Sequence, residues 1–316
     1  MKKIIILLIL VSSLFSASIK SPVSKYLSSG AVVDIVYKDA KLYSATDASC
    51  VDIFDVKTKK IIQKIKVEQI TDFMGDTIDS KIYSVDLIDD KILILSQAQK
   101  GARRVHIYEN GKLTLVLPYT KKLFIAKAKF LDKDTIILGL LSNELISYDL
   151  KKQTNNYRVQ ISQSKFSNFA LNEDKSEIIV ADESGDLKIH KTKDGTFIKE
   201  LSGQNLDNIF QVDTKNGIIA TAGQDRRVVI FTPQFNSAYY KIASFLIYSV
   251  GLSPSGKIVA YASDENNNIT VFNTITKSTL GKFGENKMTL SNILFINENE
   301  FFSASDDKTI NLYKIK

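Results

Sequence analysis

Tryptophan is absent from the 316-residue sequence, cysteine occurs once, histidine twice and proline four times. A single thiol, Cys50, excludes an internal disulfide, so stability has to come from packing. Cys50 lies in the apolar run Cys50-Val51-Asp52-Ile53-Phe54 and reads as a small core-filling side chain. His106 and His190 also stand in short apolar runs, which marks them as packing residues rather than metal ligands or catalytic bases. No Cys-x-x-Cys-His run offers attachment for a c-type haem. No Gly-rich phosphate loop and no Gly-x-Ser-x-Gly elbow occurs. The expectation is therefore of no catalytic residues, no cofactor and no metal. Pro, Gly and Ser form no cluster of the kind that links domains.

Charge of one sign is also lacking. Lys and Arg number 42 against 35 Asp and Glu, and the basic residues are spread along the chain. Without a basic run or an RNA-binding motif, nucleic acid is not an expected partner. Apolar residues at 44% describe a globular chain. The one long apolar run is at the start. Lys2-Lys3 precedes Ile4–Val11, and Ser16-Ala17-Ser18 follows it, the three-part layout of a secretory signal peptide over residues 1–18. The run is too short to span a bilayer. No Cys follows it as a lipid-attachment point. Export to the periplasm of a Gram-negative bacterium, without stable membrane insertion, is the expectation, with residues 19–316 as a single domain.

What the chain does have is a repeat. Apolar runs of one kind end in an aromatic residue or His at Phe54, Tyr108, Tyr148, His190, Phe231, Phe272 and Tyr313. Read backwards from Tyr313 the steps are 41, 41, 41, 42, 40 and 54 residues. A period near 41 predicts four-stranded propeller blades. Ile218–Gly223, the turn Gln224–Arg227 and Val228–Phe231 show the pattern, and Phe301–Ser305, Asp306–Lys308 and Thr309–Tyr313 repeat it. Small residues in the second strand suit the narrow part of a blade, and β-branched residues in the third suit a packed sheet.

Ser253-Pro254-Ser255-Gly256-Lys257, Ser303-Ala304-Ser305-Asp306-Asp307, Phe54-Asp55 and Tyr148-Asp149 resemble the turn, second-strand and Trp-Asp words of the WD40 family. The resemblance covers nearly the whole of residues 19–316 and implies an all-β, seven-bladed β-propeller. It departs from the family at each missing Trp, and at Gly203-Gln204 and Gly284-Glu285, where the family's Gly-His would stand. The family's Asp–His–Ser–Trp network is thus expected to be absent and the blades to be held mainly by apolar burial. The missing Trp also argues against quinone-cofactor propellers, whose blades Trp pins.

The last repeat ends after three strands. Val23–Ser28 matches the fourth-strand segment Phe197–Ser202, and each lies 12 residues before an equivalent Ile, Ile35 or Ile209. The N-terminal segment is therefore predicted to supply the missing strand and close the ring, which removes two unpaired edges. The 54-residue step contains an insertion over Glu68–Asp79, readable as a long loop or a short helix. Its Asp72, Asp76 and Asp79 lack the spacing of a calcium loop.

Five arginines occur, and four form two pairs, Arg103-Arg104 and Arg226-Arg227, each opening the word Arg-Arg-Val-x-Ile-aromatic. They occupy the same turn in the second and fifth blades, on the face that carries the connections between blades. Arg suits bidentate carboxylate binding and stacking, so Arg103, Arg104, Arg226 and Arg227 are the candidate partner-binding residues. The competing reading pairs them with local acids such as Asp225. A propeller without catalytic groups points to a non-enzymatic protein-interaction factor. The whole chain also resembles the exported propeller proteins that accompany periplasmic nitrate reductases of epsilonproteobacteria. That resemblance implies an accessory or maturation role with nitrate reductase subunits as partners. The alternatives are a lactonase-like hydrolase using channel carboxylates and an outer-membrane assembly scaffold.

Overall fold

The computed structural model describes residues 18–316. The expected signal segment, residues 1–18, lies outside the described residues apart from Ser18. The chain forms seven antiparallel blades in a ring, a seven-bladed β-propeller. The innermost strands are Val32–Lys38, Ile82–Ile88, Ile125–Asp132, Phe166–Leu171, Ile209–Lys215, Val250–Leu252 and Leu290–Phe295. Each contacts the next, and the last returns to the first.

Ring closure follows the predicted segment. Strand β1 is Ile19–Lys20 and strand β2 is Ser24–Leu27. β2 is the outermost strand of blade 7, antiparallel to Thr309–Lys314, with Ser24 opposite Leu312 and Leu27 opposite Thr309. Tyr26 alone in β2 is fully buried, at 1% exposure. Its ring meets Phe54 of blade 1 and Phe302 of blade 7 edge-on, at 5.7 and 5.6 Å, and its hydroxyl donates to the Val56 carbonyl at 3.0 Å. β1 was not foreseen. It adds a fifth strand to blade 6, parallel to Thr279–Phe283.

Apolar burial between blades supplies the core. Each cluster joins neighbours: Leu93 and Val105 of blade 2 pack with Phe130, Ile146 and Tyr148 of blade 3, and Phe283 of blade 6 packs with Phe301 and Tyr313 of blade 7. Burying each such side chain contributes about 2 kcal/mol. Polar ties add to this apolar burial. Buried Asn205 accepts from the Thr221 hydroxyl at 2.7 Å and donates to Asp225 at 3.2 Å. Asn286 accepts from Ser303 at 2.7 Å and Asn311 at 2.9 Å, and Asn143 donates to Asp182 at 2.9 Å. Asparagine, which both donates and accepts, ties the inter-blade connection or turn to the strands in these blades.

The insertion is neither loop nor helix. It is a small hairpin of Ile70–Thr71 against Thr77–Ile78. Asp72 shapes its turn by accepting from the Met74 and Asp76 backbone N–H groups at 2.8 and 3.0 Å, and Gly75 takes the positive φ of 94° that the turn requires.

Candidate docking face and central channel

Two kinds of loop alternate in a propeller and separate its faces. Turns after the first and third strands of each blade form one face. Turns after the second strand and the connections to the next blade form the other. The first of these faces is rich in Lys, Asp and Asn, as in Asp132-Lys133-Asp134 and Asn172–Lys175, and its large exposed apolar side chains are Phe235 and Ile275. The connection face exposes Phe73, Met74, Ile78, Tyr119, Phe124, Leu141, Leu206, Phe245 and Met288. At its hairpin tip Phe73 is 96% and Met74 72% exposed. Phe210 and Tyr248 stack at 5.0 Å where blades 5 and 6 meet this face.

The structure places both arginine pairs on the connection face, at the start of the third strands of blades 2 and 5. Their side chains are not alike. Arg103 lies over the Tyr83 ring at 3.9 Å and donates to the Ala102 carbonyl at 3.1 Å. Arg104 is 8% exposed and donates to Ser96 and to the Glu68 carbonyl, with the Glu68 carboxylate at 3.4 Å. Burial pulls the pKa of both guanidinium groups down from its ordinary value. Arg227 stacks on Tyr240 at 4.2 Å, donates to the Gln204 carbonyl at 2.6 Å and stands 3.7 Å from Asp225. Arg226 sits in the turn with φ of 65°, exposed, with no carboxylate in salt-bridge range among the described residues. Arg103, Arg104 and Arg227 thus stiffen this face, and Arg226 presents its charge to solvent. Arg104 also anchors the base of the hairpin through Glu68.

The channel carries a second constellation, which the reading of motifs missed. In six blades a β-bulge interrupts the pairing of the first strand just before one residue. A bulge re-aims the following side chain. The residues at that place, blade by blade, are Asp34, Ser84, Lys127, Asn168, Gln211, Ser249 and Asn292, polar in every case. Two steps on, Asp86, Lys129 and Asp213 add charge. Several reach across to the next blade. Asp34 accepts from the Val85 N–H at 3.0 Å, Asp86 from Phe130 at 2.7 Å, Gln211 from Val250 at 2.9 Å and Asp213 from Leu252 at 2.8 Å. Lys129 bridges Asp34 and Asp86 at 3.6 and 3.5 Å, and these two carboxylates lift its pKa above the usual value against the opposing effect of burial. Lys127 donates to the Asn168 side chain at 2.8 Å and the Phe169 carbonyl at 2.9 Å. Enclosure by the ring, then the neighbouring Lys129, lowers the Lys127 pKa to about 8. Of these groups Asp34, Asp86, Lys127, Lys129, Gln211, Asp213 and Asn292 line a cavity of about 380 Å3 that extends to Glu173, Lys175 and Lys215 at the charged face. The pattern was present in the sequence as one polar residue ahead of the buried apolar position of each inner strand.

His106 and His190 are buried inside blades, at 7% and 4% exposure, and Cys50 is a buried free thiol whose pKa burial pushes up. Among the described residues no group of three or more His, Cys, Asp or Glu is placed to hold a metal ion. No helix there is long and apolar enough to cross a membrane. No protein-family model matches the chain, and no curated protein matches it.

Proposed function

We propose that this chain is a non-enzymatic, periplasmic protein-interaction propeller whose connection face docks onto a protein partner. The observation that carries the reading is the asymmetry of the two faces. Nine large exposed apolar side chains lie on the connection face against two on the opposite one. Exposed apolar side chains concentrated on one face favour an interaction role for it, and a rigid ring that presents loops on one side is a common platform for such a role. The partner suited to this face has an apolar recess for the Phe73–Met74 tip and an acidic patch for Arg226. The channel carboxylates Asp34 and Asp86 are committed to backbone N–H groups and Lys129, which favours a structural role over hydrolysis. The resemblance of the whole chain to NapL, an exported propeller protein that accompanies the periplasmic nitrate reductase of epsilonproteobacteria, favours nitrate reductase subunits as the partner and an accessory role in the maturation of that enzyme.

The test uses purified nitrate reductase subunits as well as periplasmic extract. The parent protein is expected to retain a subunit on a column, with retention weakened by salt. Arg226→Glu and Phe73→Asp both change exposed side chains, so each should melt like the parent and lose retention. Equal retention by the two folded variants overturns the docking face, and absence of the reductase among retained proteins overturns the accessory role.

A further inference from the structure

The charges lining the central cavity balance. Lys127, Lys129, Lys175 and Lys215 face Asp34, Asp86, Glu173 and Asp213. Three of them pair with one another and a fourth is held by a carbonyl. Lys129 is shared by Asp34 and Asp86, and Lys175 donates to the Phe130 carbonyl at 2.8 Å. Glu173, which accepts from the Asn216 N–H, and Lys215 stand toward the charged face without an opposite charge in range among the described residues. Deeper in the cavity two further charges are unmatched. Lys127 of blade 3 has only neutral acceptors, Asn168 and Phe169, and one of its three N–H donors remains free. Asp213 of blade 5 accepts only from the Thr214 and Leu252 N–H groups and keeps acceptor capacity on both oxygens. Among the described residues neither has an opposite charge within 4.0 Å, although the field of Asp213 reaches Lys127 and favours its charged form. Between them blade 4 contributes Ala170, a short side chain that leaves the wall open. The remaining wall is apolar at Val36, Phe130 and Leu294.

We propose that the channel binds a small zwitterion of the α-amino acid type, its carboxylate on the Lys127 ammonium and its own ammonium on Asp213. A lone anion or cation would unbalance a neutral cavity, whereas a zwitterion leaves it neutral and fills the gap between two charges that feel each other without touching. A cavity of about 380 Å3 holds a ligand of that size, and recessed charges in a site with apolar walls interact more strongly than in open water. Asn168 and the Phe169 carbonyl hold Lys127, and the Thr214 and Leu252 N–H groups hold Asp213, so both binding groups are fixed in place, as a binding site requires. The site opens toward the face opposite the docking surface, so it stands or falls independently of the partner.

Titration calorimetry and thermal melting of the mature protein with glycine, L-alanine, L-leucine, L-glutamate and L-lysine test this, with acetate and methylammonium as single-charge controls. At least one amino acid should bind one to one and raise the melting temperature by about 2 °C at ten times its Kd, while both controls leave it unchanged. At pH 8 binding should take up protons, because a carboxylate beside Lys127 favours its charged form, and the heat will then vary with the ionisation enthalpy of the buffer. Lys127→Met removes an enclosed charge and Asp213→Asn keeps an acceptor for Leu252, so both should fold, and each should weaken binding tenfold or more. No saturable heat from any amino acid at about 10 mM, binding that survives both variants, or acetate binding as tightly as the amino acids overturns the proposal.

Discussion

Replacing Tyr26 by Ala removes the one side chain by which β2 is sealed into the ring. Tyr26 is 1% exposed, lies edge-on to Phe54 and Phe302, and donates to the Val56 carbonyl. Truncating a buried aromatic ring costs about 3–5 kcal/mol, and the orphaned carbonyl adds about 1 kcal/mol. A loss of about 5 kcal/mol corresponds, through the unfolding entropy of a chain of this length, to a fall of roughly 8 °C in melting temperature. Tyr26→Phe keeps the ring contacts and loses only the hydroxyl bond, so about 1 kcal/mol is expected. Lys25→Ala removes the exposed pair with Glu285, 2.7 Å apart, and should change little. Urea unfolding and melting of the three variants give the order, and size-exclusion chromatography reports whether the freed edges of blade 7 associate. If Tyr26→Ala melts within about 1 °C of the parent, β2 does not hold the ring shut and the reasoning fails.

His106 is buried with its pKa lowered to about 4 by enclosure and then by Arg104, against 6.5 when unfolded. The neutral form is the one that fits, so its contribution is complete above pH 6.5 and is lost as pH falls toward 4. About 3 kcal/mol of stability should disappear across that window. His106→Gln should flatten the fall in urea midpoint between pH 6.5 and 4.5, and an unchanged slope would refute the assignment. Gly251→Ala would place a Cβ 2.5 Å from the Ile293 carbonyl oxygen of the next blade, which should destabilise by about 2 kcal/mol in denaturant titration. Cys50, buried and with its thiol pKa raised, should resist maleimide labelling in the native protein and label fully in urea. Rapid native labelling would contradict its placement in the core.

The number of blades and the closing strand were legible because they are written as repetition. The spacing from Phe54 to Tyr313 and the match of Val23–Ser28 to Phe197–Ser202 needed no knowledge of distant contacts. The parallel strand β1 could not be read in this way, since two residues at the edge of a sheet carry no periodic pattern. The Glu68–Asp79 hairpin eluded the reading because its pairing is brief and Asp72 and Gly75 create the turn locally. The missing Trp and His pointed to blades held mainly by apolar burial, and Asn143, Asn205 and Asn286 add polar ties whose partners lie 16 to 39 residues away in the sequence. The arginine pairs were correctly placed on one face, whereas the difference between a buried Arg104 and a free Arg226 depends on the longer turn at Gln99–Gly101 and on Glu68, which lies 36 residues from Arg104.

β1 and β2 also set the order in which the molecule can be completed. Lys20 bonds the Ile315 carbonyl across 295 residues, and β2 pairs with Thr309–Lys314. As the chain is made from its N-terminal end, the first strands to emerge are among the last to find their partners. Six blades can assemble from neighbouring segments, each with short loops, while Ile19–Lys20 waits for blade 6 and Ser24–Leu27 stays unpaired until the final strand arrives. Contacts of such separation are slow to form, and the open ring that precedes them exposes strand edges prone to association. Refolding should accordingly show a late step, common to the whole ring, whose rate responds to changes in β2 more than to changes within any single blade.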